Sequence, residues 1–335
     1  MLIRQPYLLF LGDVTDPLAA KTARGIQVWR PEQCVGQIRL PGCSVSLGLS
    51  DMTIADAITA GARTLVLGTA NAGGFLPEHW LETVRAAISA GMNVASGLHY
   101  RLVDNPELVA LAKTHQVELF DIRHMRPKLD VGSGKKRSGK RVLTVGTDCS
   151  VGKMYTSLAL ESAMREAGLK ADFRATGQTG ILVAGEGIAI DAVIADFIAG
   201  AAEALSPAND DDHWDIVEGQ GSLFHPSYAG VSMGLIHGAQ PHWLVMCHEM
   251  HRPHMRHLPH QPMVSLADCV QANLQAARVT SENVRLAGFA INTSDFSEQQ
   301  ARDYCQQVSD EFGVPATDPV RFGIADIAAL LKEQG

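Results

Sequence analysis

Residues 142–160 read VLTVGTDCSVGKMYTSLAL: an apolar run, a glycine-bounded loop closing on Gly152-Lys153, and a segment with helical spacing. No other stretch narrows the choice of fold so far. Strand, loop and helix in that order build a phosphate-binding loop. Backbone N–H groups point inward, the helix N-terminus adds positive potential, and a lysine reaches over the anion. Such a loop belongs at the carboxyl end of a strand in a parallel α/β sheet. The expected phosphate-binding residues are Gly146, Thr147, Asp148, Cys149, Ser150, Val151, Gly152 and Lys153, with Met154 next to them. Met154 breaks the pattern. Ser or Thr ordinarily stands there, and its hydroxyl binds the Mg²⁺ of a nucleoside triphosphate. The chain keeps the cradle and lacks that metal ligand.

The 335 residues suffice for two cores. The expected division is a Rossmann-like domain over 1–130, a linker over 131–140 and a P-loop NTPase-like domain over 141–335. The linker reading rests on the basic, Gly- and Ser-rich stretch at 126–141, taken as solvated. Before it, strands are predicted at 7–12, 26–29, 64–67, 93–96 and 117–121, with helices at 51–60, 77–90 and 105–114. After it, strands are predicted at 142–145, 171–175, 214–218, 242–246 and 286–291, with helices at 153–167, 191–204, 265–277 and 297–312. Alternation of this kind makes doubly wound parallel sheets, so the fold class is α/β in both halves. Gly68, Gly73 and Gly74 follow a strand without GxGxxG spacing, and backbone geometry is the better account of them.

A charged content of 19% and a net charge of -8 argue against nucleic-acid binding. The six cysteines include no CxxC pair, which points to free thiols in a reducing cytosol. The N-terminal apolar run is too short for a signal peptide, no segment is long enough to span a bilayer, and a cytoplasmic location is expected.

Other candidate residues fall after strands, where open α/β sheets bind ligands. Arg174, Thr176 and Gln178 suit a polar substrate, Arg174 by forking onto a carboxylate; a surface turn is the competing reading. Asp191 opens a predicted helix and is either a ligand contact or an N-cap. Glu218 ends an apolar strand before two glycines and is a candidate general base or metal ligand. His225 is a second candidate base, and Ser222 a candidate oxyanion donor. The histidine-rich tract at 247–262 lacks HExxH and is broken by prolines, so no metal is assigned, and Arg252 is read as an anion contact. Asn292 either reads a base edge or forms a turn.

Two resemblances attach to these residues. Gly146-Thr147-Asp148 with Val151-Gly152-Lys153 resembles the phosphate loop of dethiobiotin synthetase and its ATP-dependent relatives, over roughly the second half of the chain. Arg174, Thr176-Gly177, Asp191 and Glu218-Gly219 fall in the order of that family's substrate lysine, serine, and metal-binding Asp and Glu. Met154 and Arg174 depart from it. Over the whole chain, GTDCSVGK, ATGQTGI and VEGQGSLFHP, with a Rossmann-like domain and a basic linker before them, are similar to the D-glutamate N-acetyltransferase family. This resemblance implies acetyl transfer from acetyl-CoA to the amine of D-glutamate or a related D-amino acid, without a metal. The loop would hold the coenzyme A pyrophosphate. The expected partners are these small molecules, with no nucleic acid, no membrane and a homo-oligomeric assembly. The alternatives are an ATP- and Mg²⁺-dependent ligase or kinase using Asp191 and Glu218, and a non-catalytic nucleotide sensor.

Overall fold

The computed structural model of the protein describes residues 3–69, 76–124 and 129–335. Gly73 and Gly74 lie outside the described residues. The chain divides into two compact units: Met1–Arg126 with Gln178–Ala192, and Pro127–Gly177 with Val193–Gly335.

The first unit begins with β1 (Tyr7–Gly12), α1 (Lys21–Trp29), β2 (Cys34–Arg39), α2 (Ile54–Thr59) and β3 (Thr64–Leu67). It continues with α3 (Glu78–Ser89), β4 (Asn93–Ser96), α4 (Pro106–His115) and β5 (Leu119–Asp121). The strands form a five-stranded sheet in the order β2-β1-β3-β4-β5, parallel throughout. Strands β1, β3 and β4 are buried along their whole length, as strands covered on both faces must be. Local chemistry sets the helix starts. Thr53 and Asp56 make a reciprocal capping box on α2, worth about 1 kcal/mol. Asn105 caps α4, with Pro106 at the first helical position.

The strand predicted at 26–29 is instead the last turn of α1. Thr22, Ala23 and Ile26 are buried at helical spacing, and Pro31 stops the helix. The true second strand is β2, where a Cβ at Gly36 would meet Met52 Sδ at 2.7 Å. At Gly68 a Cβ would stand 2.4 Å from Ala23 Cβ, so this glycine admits α1 against the sheet.

The second unit holds β6 (Lys140–Gly146), α5 (Lys153–Glu166) and β7 (Lys170–Arg174). The chain then adds α6 (Gln178–Ala184) to the first unit, where the Tyr7 hydroxyl donates to Leu182 O at 3.0 Å. The second unit resumes with α7 (Ile198–Leu205), β8 (His213–Val217), α8 (Ala229–Ala239) and β9 (Trp243–Glu249). A hairpin of β10 (His254–Met255) and β11 (Leu258–Pro262) follows, then α9 (Leu266–Arg278) and β12 (Arg285–Asn292). The chain closes with α10 (Glu298–Phe312), β13 (Ala316–Thr317) and α11 (Ala325–Gln334). The six-stranded parallel sheet runs β13-β12-β9-β6-β8-β7. The helix predicted over 191–204 is two short 3-10 turns, Ile190–Ala192 and Ala195–Phe197, followed by α7.

The basic stretch is exposed over 130–136, as a solvated linker would be, but the arginines at its end are docked. Arg137 donates to Gly238 O at 2.8 Å and Ala239 O at 3.3 Å, completing carbonyls at the end of α8. Arg141 is 2% exposed and donates to Gln240 O, Ser138 O and Arg137 O. These cations meet the negative end of a helix dipole and a set of carbonyls that would otherwise lack donors. Among the described residues no helix is long and apolar enough to cross a membrane.

Candidate active site

Strand β6 pairs with β9 on one side and β8 on the other; the connection after β6 runs toward β7 and that after β9 toward β12, so the winding reverses between β6 and β9. That is the switch point at which open parallel sheets bind ligands, and the glycine-bounded loop follows it directly. Gly152 caps α5 at φ +101°, and Ser150 also lies in the left-handed region at φ +55°. Thr147 N donates to Cys247 O at 3.0 Å, carrying the β6–β9 pairing into the loop. Lys153 is 7% exposed, and its Nζ donates to Asp148 O at 2.8 Å. Burial pulls its pKa down, while Cys247, Cys149, Asp148 and Glu218 act to keep it charged.

Asp148 ties the loop to the β9–β10 connection. Its Oδ1 accepts from Cys149 N at 2.6 Å; its Oδ2 accepts from Arg252 Nη1 and Arg256 N, each at 2.7 Å. Arg252 also donates to Cys149 O at 2.8 Å and forks onto Glu249. On the other side of the loop, Thr147 Oγ1 lies 3.0 Å from His248 Nδ1, and His248 Nε2 lies 3.2 Å from the Tyr304 hydroxyl. Burial, then the Arg252 charge, lowers the His248 pKa to about 4, so the ring is neutral at pH 7.

Glu218 lies just past β8 and is 4% exposed. Its two oxygens are treated unequally. Oε2 accepts from Thr176 N at 2.9 Å and Gly177 N at 3.0 Å, while Oε1 receives only the Gln220 amide at 3.4 Å. Burial raises the pKa of this carboxyl, against the two backbone donors and the Lys153 charge. A carboxyl so raised is more basic than an exposed one, which suits it to proton transfer. Gly219 is required beside it, because a Cβ there would lie 1.7 Å from Thr144 O and 3.0 Å from Lys153 Cδ.

The other expected site residues divide. Thr176 belongs to the Glu218 network, its hydroxyl donating to Glu218 O at 2.7 Å. Ser222 is 2% exposed and donates to Thr147 O at 3.0 Å, bracing the loop. At His225, Ser227 N donates to Nδ1 and Nε2 faces Arg256 O, both at 3.2 Å. These partners assign the proton to Nε2 and leave no free lone pair for a base. Arg174 is a cross-strand partner of Asp215, donating from Nε at 2.7 Å. Asn292 Oδ1 accepts from Ser294 N at 3.1 Å, the turn-forming geometry, and leaves its amide N–H groups outside that turn. Gln178 and Asp191 belong to the first unit. There Asp191 pairs with Arg123. Gln178 donates to Gly97 O at 2.5 Å and accepts from Arg123 Nη2 at 3.0 Å once its amide is oriented to satisfy both.

Sequence reading missed Gln220, His248, Tyr304 and Arg256. The Gly219-Gln220-Gly221 bracket was the one available signal for Gln220; the others depend on partners remote in sequence. Among the described residues Asp148, Cys149 and His225 bring one potential metal-ligand atom each within 4.8 Å. They are poorly suited to a cation, since N–H donors already occupy Asp148 and the Arg252 guanidinium lies against it.

A phosphate loop at the switch point of a parallel sheet, with an acid at the end of the next strand, defines a P-loop α/β protein. Residues 130–328 match the family model described as a domain of unknown function, DUF1611_C, P-loop domain, and residues 39–125 match the DUF1611_N Rossmann-like domain. The chain belongs to this family. A protein of Pseudoalteromonas sp named D-glutamate N-acetyltransferase is 53% identical over 99% of this chain and 100% of its own length. Another of the same name, from Tritonibacter scottomollicae, is 51% identical over 98% of this chain and 99% of its own. The crystal structure of a DUF1611 family protein from Anabaena variabilis ATCC 29413 has 32% identity and a TM-score of 0.86, covering 99% of this chain and 100% of that one. With these relatives the chain is an enzyme of the transferase class, an N-acetyltransferase.

Proposed function

We propose that the protein moves an acetyl group from acetyl-CoA to the amine of D-glutamate or a related D-amino acid, with Glu218 as general base. The amino acid comes from the names of the two full-length relatives. The observation that carries the reading is Glu218 itself: a buried carboxyl with a raised pKa, held beside the phosphate-loop lysine, with one oxygen nearly free of donors.

The loop supplies N–H groups and the Lys153 ammonium to a pyrophosphate that is bound and not cleaved, which accounts for Met154. Acetyl transfer needs no stabilised phosphoryl leaving group, so the missing hydroxyl costs nothing. An amino acid's amine is protonated at neutral pH and must lose a proton to attack the thioester carbonyl. That first proton goes to solvent. As the C–N bond forms, Glu218 Oε1 takes the second proton from the attacking nitrogen; the C–S bond breaks, and this proton passes from Oε1 to the departing thiolate. Placing the reactants side by side supplies the largest further gain. The guanidinium of Arg256, in the hairpin turn between β10 and β11, pairs with no carboxylate among the described residues, its Nε donating to His257 Nε2 at 3.3 Å, and is available for a substrate carboxylate.

The test incubates the protein with acetyl-CoA and D-glutamate in EDTA and follows free thiol. Release that depends on the amino acid and falls at least a hundredfold in kcat in Glu218→Gln supports the reading, that being the usual size of a general-base effect. Mg²⁺-dependent ATP consumption without thiol release would replace it with the ligase reading.

A further inference from the structure

We propose that Gln220 is a positioning residue that holds Oε1 of Glu218, the oxygen left open by the backbone donors on Oε2, in place for proton transfer and sets the pH at which it works. The inference rests on Glu218 being the base.

The argument starts from how Gln220 is held. Its backbone carbonyl accepts from Ser232 Oγ of α8 at 2.7 Å. Gly221 follows at φ +63°, in a bend where a Cβ would lie 2.7 Å from the same Ser232 hydroxyl. The main chain is thereby anchored, and the side chain crosses to the loop after β7. There Nε2 donates to Thr176 Oγ1 at 3.0 Å and approaches Glu218 Oε1 at 3.4 Å. The Thr176 hydroxyl in turn donates to the main-chain carbonyl of Glu218 at 2.7 Å. Gln220 and Thr176 therefore tie together the backbone and the side chain of Glu218.

The roles of the two carboxylate oxygens follow from their donors. Two backbone N–H groups engage Oε2 fully, so a proton placed there would displace them. Oε1 has one long, weak donor and keeps lone pairs for a proton. A Cβ at Gly177 would stand 2.7 Å from Gln220 Nε2 and 3.0 Å from Glu218 Oε1. The absent side chain leaves room for the amide. The groups facing the carboxyl are then Lys153 of α5, the N–H groups of Thr176 and Gly177 with the Thr176 hydroxyl, and Gln220 from its own loop. Lys153 is the one charge among these, and the amide is the adjustable neutral donor.

A donor to a carboxylate favours its ionised form, so removing it raises the pKa. The acid limb of the kcat profile, which follows ionisation of the base, should move to higher pH. Gln220→Leu is expected to lower kcat on the acid limb about threefold, the low end for a hydrogen bond because the contact is long. The acid limb should rise by about half a pH unit, with the KM for acetyl-CoA within about twofold of the parent. Gly177→Ala should reproduce the limb shift with Gln220 intact, and thermal melting of both variants shows that they are folded. A fall in kcat with an unmoved limb in both variants overturns the proposal, leaving Gln220 a structural residue. Glu218→Gln separates this from failure of the underlying reading. If it loses kcat while the Gln220 and Gly177 limbs stay put, only the positioning role is lost. If it retains kcat, both fall.

Discussion

Arg252 and Asp148 form a buried latch on the phosphate loop. The guanidinium donates to a carboxylate that is 0% exposed, at 2.7 Å, and also holds the Cys149 carbonyl at 2.8 Å. The loop's conformation thus depends on a residue about a hundred positions later. Arg252→Ala leaves Asp148 with two backbone donors and an uncompensated buried charge. Breaking a buried pair from one side costs about 3 kcal/mol. Urea unfolding should show that loss, and the KM for acetyl-CoA should rise about tenfold as the loop slackens. Adding Asp148→Asn should recover most of the stability, since the orphaned charge is then gone. A single variant as stable as its parent would show that the latch holds nothing.

Two loop glycines should respond differently to the same methyl group. At Gly219 a Cβ would lie 1.7 Å from the Thr144 carbonyl oxygen, which the central strand cannot move. Gly219→Ala should destabilise by more than about 4 kcal/mol, or yield no folded protein. At Gly152 no atom lies within 4 Å of a Cβ, and the only penalty is φ +101°. Gly152→Ala should cost about 1–2 kcal/mol and remain folded. Denaturant midpoints measured side by side decide the order, and equal losses would contradict the assigned contacts.

Lys153 is an expensive residue for the unliganded fold. Its ammonium is buried and, among the described residues, donates to Asp148 O. Desolvating an ammonium costs several kcal/mol, and a neutral carbonyl with the raised-pKa Glu218 nearby repays only part of it. Lys153→Met should therefore melt at or above the parent temperature. It should at the same time bind coenzyme A at least tenfold more weakly, because the phosphate has lost its cation. Calorimetry and isothermal titration on one preparation read both. A large drop in melting temperature would make the lysine a strut rather than a ligand group.

The sequence was most readable where one local pattern sufficed. Strands β6, β8 and β9 are apolar runs buried on both faces, and the phosphate loop carries its own punctuation in Gly146 and Gly152. The segment at 26–29 misled because Ile-Gln-Val-Trp is β-branched and aromatic, while its burial follows α1. Helix α8 escaped notice because glycines at 230, 234 and 238 blur its periodicity. Two of them are packing devices: a Cβ would lie 2.6 Å from Ile198 Cγ2 at Gly234 and 2.1 Å from Ala199 O at Gly238. In the site, Glu218 was legible from its position at a strand end before glycines. What occupies Arg174 was not, since Asp215 lies on β8, diagonal to Arg174 across the β7–β8 pair, and only the pairing of those strands brings them together. The segment Gln178–Ala192 reads as continuous with β7 yet joins the first unit, a long-range choice that no local propensity encodes.

Glu218 should leave a pH signature on stability as well as on rate. Burial raises its folded pKa above the ordinary carboxylate value, despite the donors from Thr176 and Gly177. The sign follows from linkage. A carboxyl with a raised folded pKa favours the fold when protonated, and that contribution is lost as pH climbs from the unfolded value, about 4.3, through the folded one. Above that window the buried carboxylate is a standing cost. Gln keeps an oxygen for the two backbone N–H groups and removes the charge. Glu218→Gln should therefore melt near the parent temperature at pH 4. It should gain on the parent as pH rises, and keep its advantage at pH 8, while kcat for acetyl transfer collapses. Melting curves of both proteins from pH 4 to 8 make the comparison. Parallel curves across that range would mean that the folded-state pKa of Glu218 is ordinary, and the case for it as a base tuned by burial would fail.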